Sequence, residues 1–173
     1  GEKYLQMNGL QGSSMPILFS TLQKHYPDAT GKPYVFIMDD EEEAGYLYHD
    51  FVQILGDEQV LFFPSSFKRA VKYGQRDAGN GIMRTEVLSR IGGSGQLFII
   101  TSPPALSEMV VTSEKLGEQT ISLSEGERVD AMFMQETLLS LGFNRVDYVY
   151  EPGQFAVRGS ILDVYSFSCE FPY

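Results

Sequence analysis

Residues 9–16 read Gly9-Leu-Gln-Gly12-Ser-Ser14-Met15-Pro16. Laid on the phosphate-loop pattern G-x-x-x-x-G-K-[ST], Gly9 takes the first glycine. Ser14 stands at the second glycine, Met15 at the lysine and Pro16 at the magnesium-binding hydroxyl. The lysine of that pattern supplies charge to the β- and γ-phosphates, and its glycines let backbone N–H groups close around them. Met15 carries no charge, and Pro16 has neither hydroxyl nor N–H. The run is therefore read as a degenerate nucleotide loop that does not bind, with Gly9, Gly12, Ser14, Met15 and Pro16 as its remnants. Function is expected on a binding surface.

Other chemistry-bearing residues have two readings each. Asp39-Asp40-Glu41-Glu42-Glu43 follows an apolar run. The acids suit a metal site after a strand. They suit better a helix start, with Asp39 or Asp40 as cap and the rest at the positive end of the macrodipole. His25 and His49 fall on predicted helices without companion ligands, and ordinary surface or core roles are expected. Cys169 is the single cysteine, so no internal disulfide forms. No catalytic set and no metal site stand out.

The charge is uneven. The chain has 173 residues and a net charge of −10, which argues against the whole being a nucleic-acid clamp. From Lys68 to Arg90, six basic residues (Lys68, Arg69, Lys72, Arg76, Arg84, Arg90) against Asp77 and Glu86 give a local +4. This stretch is a candidate DNA contact or, on the preferred reading, a solvated face paired with acids elsewhere. Residues 117–173 carry nine acids and three arginines, a local −6. Arginines kept in so acidic a segment are expected to have assigned jobs.

These residues must be positioned by elements. Pro16–Tyr26 reads as a short helix with Pro16 at its first position. Tyr34–Met38, Val60–Phe63 and Leu97–Ile100 read as buried strands, the second ended by Pro64. Glu41–Leu55 reads as a helix stopped by Gly56, and Ile82–Ile91 as another. Helices alternating with apolar strands predict a parallel α/β sheet. After Pro103-Pro104 the pattern changes. Gln119–Leu123 alternates as a half-exposed strand, and Ser124-Glu125-Gly126 reads as a turn. Arg128–Leu141 is a predicted helix ended by Gly142. Val146–Tyr150, Gln154–Val157 and Ile161–Tyr165 read as strands joined by tight turns. That predicts an antiparallel sheet packed on one helix, in a small α+β domain. The boundary is placed near residue 112, giving domains 1–111 and 112–173. No run of about 18 apolar residues suggests a membrane span, and no secretory signal is evident. A cytoplasmic protein is expected.

The most specific segment is Leu141-Gly-Phe-Asn-Arg145-Val-Asp-Tyr-Val-Tyr-Glu-Pro-Gly-Gln-Phe155-Ala-Val-Arg158-Gly-Ser-Ile-Leu-Asp-Val-Tyr165. Arg145 precedes a predicted strand, and Arg158 follows one at a tight turn. Both are expected to project from one end of the small sheet. Arginine suits bidentate recognition of a carboxylate, and arginine beside aromatic area is typical of interface anchors. The residues alone leave a second reading open. In it Phe155 and Tyr165 lie in the core, and Arg158 pairs with Glu151 or Asp163.

This segment closely resembles the transcription–repair coupling factor family, Mfd, in its UvrB-like N-terminal region. The Glu-Pro-Gly-Gln-Phe-Ala-Val-Arg-Gly run is a distinctive mark of that family, and UvrB has a related Phe-x-Val-Arg-Gly run. The resemblance extends back through Gly9–Gly12, the helix at 41–55 and the helix at 128–141. It is strong over 117–165 and weak over 64–95. UvrB keeps an intact phosphate loop and a tyrosine-rich hairpin that probes damaged DNA. Here Met15 and Pro16 replace the loop's working residues, and 64–95 holds only Phe67 and Tyr73 as aromatics. Both departures favour Mfd's degenerate module.

The resemblance implies a degenerate domain 1A over 1–111 and a truncated domain 2 over 112–173. It implies a non-catalytic module that recruits UvrA in transcription-coupled nucleotide excision repair, with Arg145, Arg158, Phe155 and Tyr165 at the UvrA surface. It implies ATP and magnesium only for the parent family's motor region, and RNA polymerase only through parts beyond this chain. A UvrB-type ATP-dependent DNA-binding enzyme and a structural or autoinhibitory module are the alternatives. The family continues past Tyr173 with another strand, so an open sheet edge and self-association of the fragment are expected as well.

Overall fold

The computed structural model describes residues 4–26, 32–67, 78–93, 95–118, 120–167, 169 and 171–173. In chain order the elements are α1 (Ser14–His25), β1 (Tyr34–Ile37), α2 (Glu41–Leu55), β2 (Val60–Phe63), α3 (Ala78–Arg90) and β3 (Phe98–Thr101). They continue with α4 (Pro103–Leu106), α5 (Ser113–Glu118), α6 (Ala131–Ser140), β4 (Asn144–Arg145), β5 (Gln154–Arg158) and β6 (Ile161–Tyr165). The backbone gathers into two compact units, one of residues 1–65 and 93–107, the other of 66–92 and 108–173. The stretch 66–92, read from sequence as part of the first domain, thus groups with the second unit.

The first unit is built on a three-stranded parallel sheet of order β1-β3-β2, as the alternation of helices and apolar strands predicts. α2 shows why. Asp40 is its N-cap and accepts the Glu43 N–H at 2.9 Å, while Glu41–Glu43 occupy the positive first turn. Ala44, Leu47 and Phe51, spaced three and four apart, form the buried stripe. Gly56, at φ +82°, ends the helix where a side chain would be strained. Against this stripe lies an aromatic core of Phe36, Phe51 and Phe98, with ring centroids 4.8 Å apart for Phe36–Phe51 and 5.3 Å for Phe51–Phe98. The central strand β3 is buried along its whole length. At the edge, β1 buries one face only. Val35 and Ile37 are 50% and 57% exposed, which corrects the fully buried strand expected there.

α1 begins at Ser14, so Pro16 is the third helical residue rather than the first. Its missing N–H still costs nothing, because the first-turn donors have no intrahelical acceptor. β3 runs one residue past the expected end, and Thr101 seals it by donating its hydroxyl to Phe63 O at 2.8 Å.

The second unit departs further. α3 begins at Ala78, four residues before the expected start, through the helix-poor run Ala78-Gly-Asn-Gly81. Arg84 on this helix is buried and pairs with Glu108 at 3.5 Å. Glu108 in turn accepts Ser66 N–H at 3.0 and 3.1 Å and the Ser66 hydroxyl at 2.5 Å. Tertiary pairing outweighs local propensity here. The strand expected over 119–123 is not formed: residues 120–123 are unpaired, with Leu123 exposed. A helix, α5, precedes it instead. The turn at Ser124–Glu127 is present, closed by Glu127 N–H to Ser124 O at 3.0 Å.

α6 starts at Ala131 rather than Arg128, because the Asp130 side chain caps it, accepting Met132 and Phe133 N–H at 2.8 and 3.1 Å. Its end is a Schellman turn around Gly142 (φ +86°), with Phe143 N–H bonded to Leu138 O and Gly142 N–H to Leu139 O. The sheet that follows is mixed. β6 is antiparallel to β5, but β4 is parallel to it, which corrects the all-antiparallel expectation. The first strand is Asn144–Arg145 rather than Val146–Tyr150, because the chain pairs with β5 immediately after the Gly142 stop.

Candidate partner-binding site

The segment from Tyr148 to Tyr165 is a set of turns whose every special residue has a structural cause. Glu151–Gln154 is a type II turn, with Gln154 N–H to Glu151 O at 3.3 Å, Pro152 at its second position and Gly153 at its third (φ +83°). Gly153 is also needed for space. A Cβ there would lie 2.4 Å from Phe167 Cζ. Gln154 folds its Oε1 back to accept Tyr150 and Glu151 N–H at 2.9 and 3.1 Å. The β5–β6 connection is the two-residue loop Gly159-Ser160, with Gly159 at φ +65°, as a type II′ hairpin requires. Arg158 is thus fixed at the mouth of a rigid hairpin.

Its side chain is 50% exposed. It forms an ion pair with Asp163 across the hairpin, and its guanidinium lies 5.5 Å from the centroid of the Tyr148 ring. Nη2 makes the bond to Asp163, while Nε and Nη1 make no hydrogen bond to another described residue. The arrangement is a cation on an aromatic platform with N–H groups left for an external acceptor.

The four expected surface residues divide. Arg145 is exposed and pairs in register with Phe155. Side chains alternate along a strand, so Arg145 shares the Phe155 face and Arg158 takes the other. The two arginines do not project together from one end of the sheet, which corrects that expectation. Phe155 is 0% exposed and belongs to the core. It was the paired-and-buried reading that foresaw Phe155 in the core and Arg158 with Asp163. Tyr165 is half-buried, opposite Gln154. Tyr148 was missed. Pairing with β5 ends at Arg145, so no strand pattern in the sequence points to the contact that brings its ring to Arg158.

The sheet edge expected to be open is partly covered. Tyr173 N–H donates to Val164 O at 2.8 Å and Val164 N–H to Tyr173 O at 3.1 Å. The Tyr173 hydroxyl also meets Cys169 Sγ at 2.7 Å.

Elsewhere, Gly9 and Gly12 have positive φ, but no strand precedes them among the described residues, so the strand–loop–helix setting of a phosphate loop is not formed there. Met15 packs against the first unit's aromatic core and Pro16 is buried. Ser13 donates to Asp50 at 2.8 Å. The acids of 39–43 act as the cap and as an anchor, Glu41 accepting Ser65 N–H at 3.1 Å. His25 and His49 are exposed on helices. Of the basic stretch, residues 68–77 lie outside the described residues. Arg84 is buried rather than solvated and pairs with Glu108, and Arg90 pairs with Glu86. No described helix is long and apolar enough to cross a membrane.

Comparison with known proteins places this geometry. Residues 121–173 match the UvrB interaction domain. The chain is 24% identical over 172 residues to the transcription-repair-coupling factor of Bacillus subtilis, covering 99% of this chain and 14% of that protein. It is 24% identical over 156 residues to the transcription-repair-coupling factor of Escherichia coli, covering 89% of this chain and 13% of that protein. Against the UvrABC system protein B of Treponema denticola the identity is 22% over 188 residues, covering 100% of this chain and 27% of the relative. The chain therefore spans a small part of the relatives it matches. Its residues 121–173 carry the UvrB interaction domain pattern, and over its length it is similar to transcription-repair-coupling factors and to UvrB proteins.

Proposed function

We propose that this chain is a non-catalytic docking module of nucleotide excision repair that recruits UvrA, as part of a transcription-repair-coupling factor. The observation that carries the reading is Arg158. It is a half-exposed guanidinium on a rigid hairpin, inside the segment matching the UvrB interaction domain. Such a group recognises a carboxylate on a partner through paired N–H donors. The hairpin supplies the fixed geometry that a binding anchor needs.

Titration of the chain with UvrA tests this. Arg158→Ala is expected to weaken binding by about 2 kcal/mol or more, roughly thirtyfold, as for an interface hot spot. The fold survives, because a solvent-exposed ion pair contributes only about 0–1 kcal/mol. Because Arg145 lies on the other face, Arg145→Ala is expected to have the milder effect. Normal UvrA binding by Arg158→Ala, or its unfolding, overturns the assignment.

A further inference from the structure

The contact between Arg158 and Tyr148 has a consequence for how the partner is met. An exposed arginine samples many rotamers, and freezing them on binding costs up to about 2 kcal/mol. Here the Tyr148 ring, itself 60% exposed, underlies the guanidinium at 5.5 Å. It reaches this position because the chain runs parallel to β5 through Arg145 and Val146, with Val146 N–H bonded to Phe155 O at 2.9 Å. The backbone then returns to the Glu151–Gln154 turn. The loop 146–153 thus carries an aromatic platform to the far end of the hairpin.

We infer that Tyr148 is a positioning residue for partner recognition, its ring holding the Arg158 guanidinium so that Nε and Nη1 face an incoming partner carboxylate. The inference rests on the UvrA-docking reading. A phenyl ring has the same face as a phenol for this purpose, whereas an aliphatic side chain of similar size has none. Tyr148→Phe therefore keeps the platform and Tyr148→Leu removes it.

The test measures UvrA affinity for Tyr148→Leu, Tyr148→Phe, Arg158→Ala and the Tyr148→Leu/Arg158→Ala double variant, with melting temperature as a control. Loss of a surface cation–π contact is expected to weaken UvrA binding about fivefold in Tyr148→Leu. Tyr148→Phe is expected within about twofold of the parent, since the ring is retained. In the Arg158→Ala background, Tyr148→Leu is expected to have no further effect, since the two act as a unit. The Arg158 Hδ protons supply an independent readout: ring-current shielding seen in the parent and Tyr148→Phe is lost in Tyr148→Leu. If Arg158→Ala binds UvrA normally, the docking reading itself fails. If Arg158→Ala weakens binding while Tyr148→Leu does not, or if the two losses add, only the positioning role of Tyr148 fails. A loss in Tyr148→Phe equal to that in Tyr148→Leu assigns the effect to the hydroxyl and overturns the platform.

Discussion

Replacing Glu108 by alanine tests how the second unit is held together. Glu108 is largely shielded, as is the Arg84 it faces at 3.5 Å. Burial lowers the Arg84 pKa and the carboxylate of Glu108 raises it, so the ion pair offsets a desolvation cost. The same carboxylate accepts the Ser66 N–H and hydroxyl. Alanine at 108 leaves a shielded guanidinium facing no carboxylate at that position and strips Ser66 of its acceptor. Breaking one side of a buried pair costs about 3–5 kcal/mol, and the Ser66 bonds are already part of that figure because the effects are not additive. For a chain of this size each kcal/mol moves the midpoint by about 2–4 °C, so a fall of roughly 6–20 °C is expected.

Glu108→Gln keeps an acceptor for Ser66 and loses the charge, so its loss is expected to be smaller. The Arg84→Met/Glu108→Leu pair is expected to recover much of the stability, since apolar replacements of a whole buried pair are often neutral. The chain has no tryptophan and ten tyrosines, so urea unfolding is followed by far-ultraviolet circular dichroism and tyrosine fluorescence. Hydrogen exchange over α3 localises the effect. A loss below about 1 kcal/mol for Glu108→Ala refutes the reasoning, because a pair of that worth behaves as a surface one.

Three further outcomes are expected. Gly153→Ala is expected to lose roughly 1–3 kcal/mol in the same denaturation assay, because alanine at positive φ is strained and its Cβ displaces Phe167; a neutral result means that the turn rearranges freely. Asp40→Ala is expected to cost about 1 kcal/mol through the lost α2 cap, whereas Asp39→Ala, one residue outside it, stays within about 0.5 kcal/mol. Titration calorimetry with magnesium-ATP is expected to show no binding at cellular nucleotide levels, since Met15 and Pro16 supply neither charge nor metal ligand; micromolar binding that depends on residues 9–16 refutes the degenerate-loop reading.

What was legible in the sequence followed from strong local signals. The bounds of α2 were readable from its acids, its apolar stripe and Gly56, because cap, face and stop agree. The hairpin at Arg158-Gly-Ser-Ile161 was readable for the same reason. The start of α3 was not, because Gly79, Asn80 and Gly81 are poor helix formers and the helix is secured by Arg84 reaching Glu108, 24 residues on. The parallel course of β4 was hidden too. Two residues are too few to show a period, and Val146–Tyr150 looks like a strand by composition alone. At the candidate site, sequence identified Arg158 but placed Arg145 beside it. Only the register puts them on opposite faces, and only the course of the loop after β4 brings in Tyr148 instead.

The strand order β1-β3-β2 also sets a timetable. β3 is the partner of both neighbours, yet it is the last of the three to leave the ribosome. Phe63 closes β2, and Thr101, its hydrogen-bond partner, follows 38 residues later. At translation rates of about 5–20 residues per second, the apolar strand β2 waits about 2–8 s without a ladder partner, and β1, whose Ile37 pairs with Thr101, waits about 3–13 s. During that interval the nascent chain presents Tyr34-Val-Phe-Ile37 and Val60-Leu-Phe-Phe63 to whatever is nearby. The intervening residues 66–92, polar and locally basic, emerge in the meantime and belong to the other unit. Nascent chains stalled before Phe98 are therefore expected to be captured by chaperones more than those stalled well beyond Thr101.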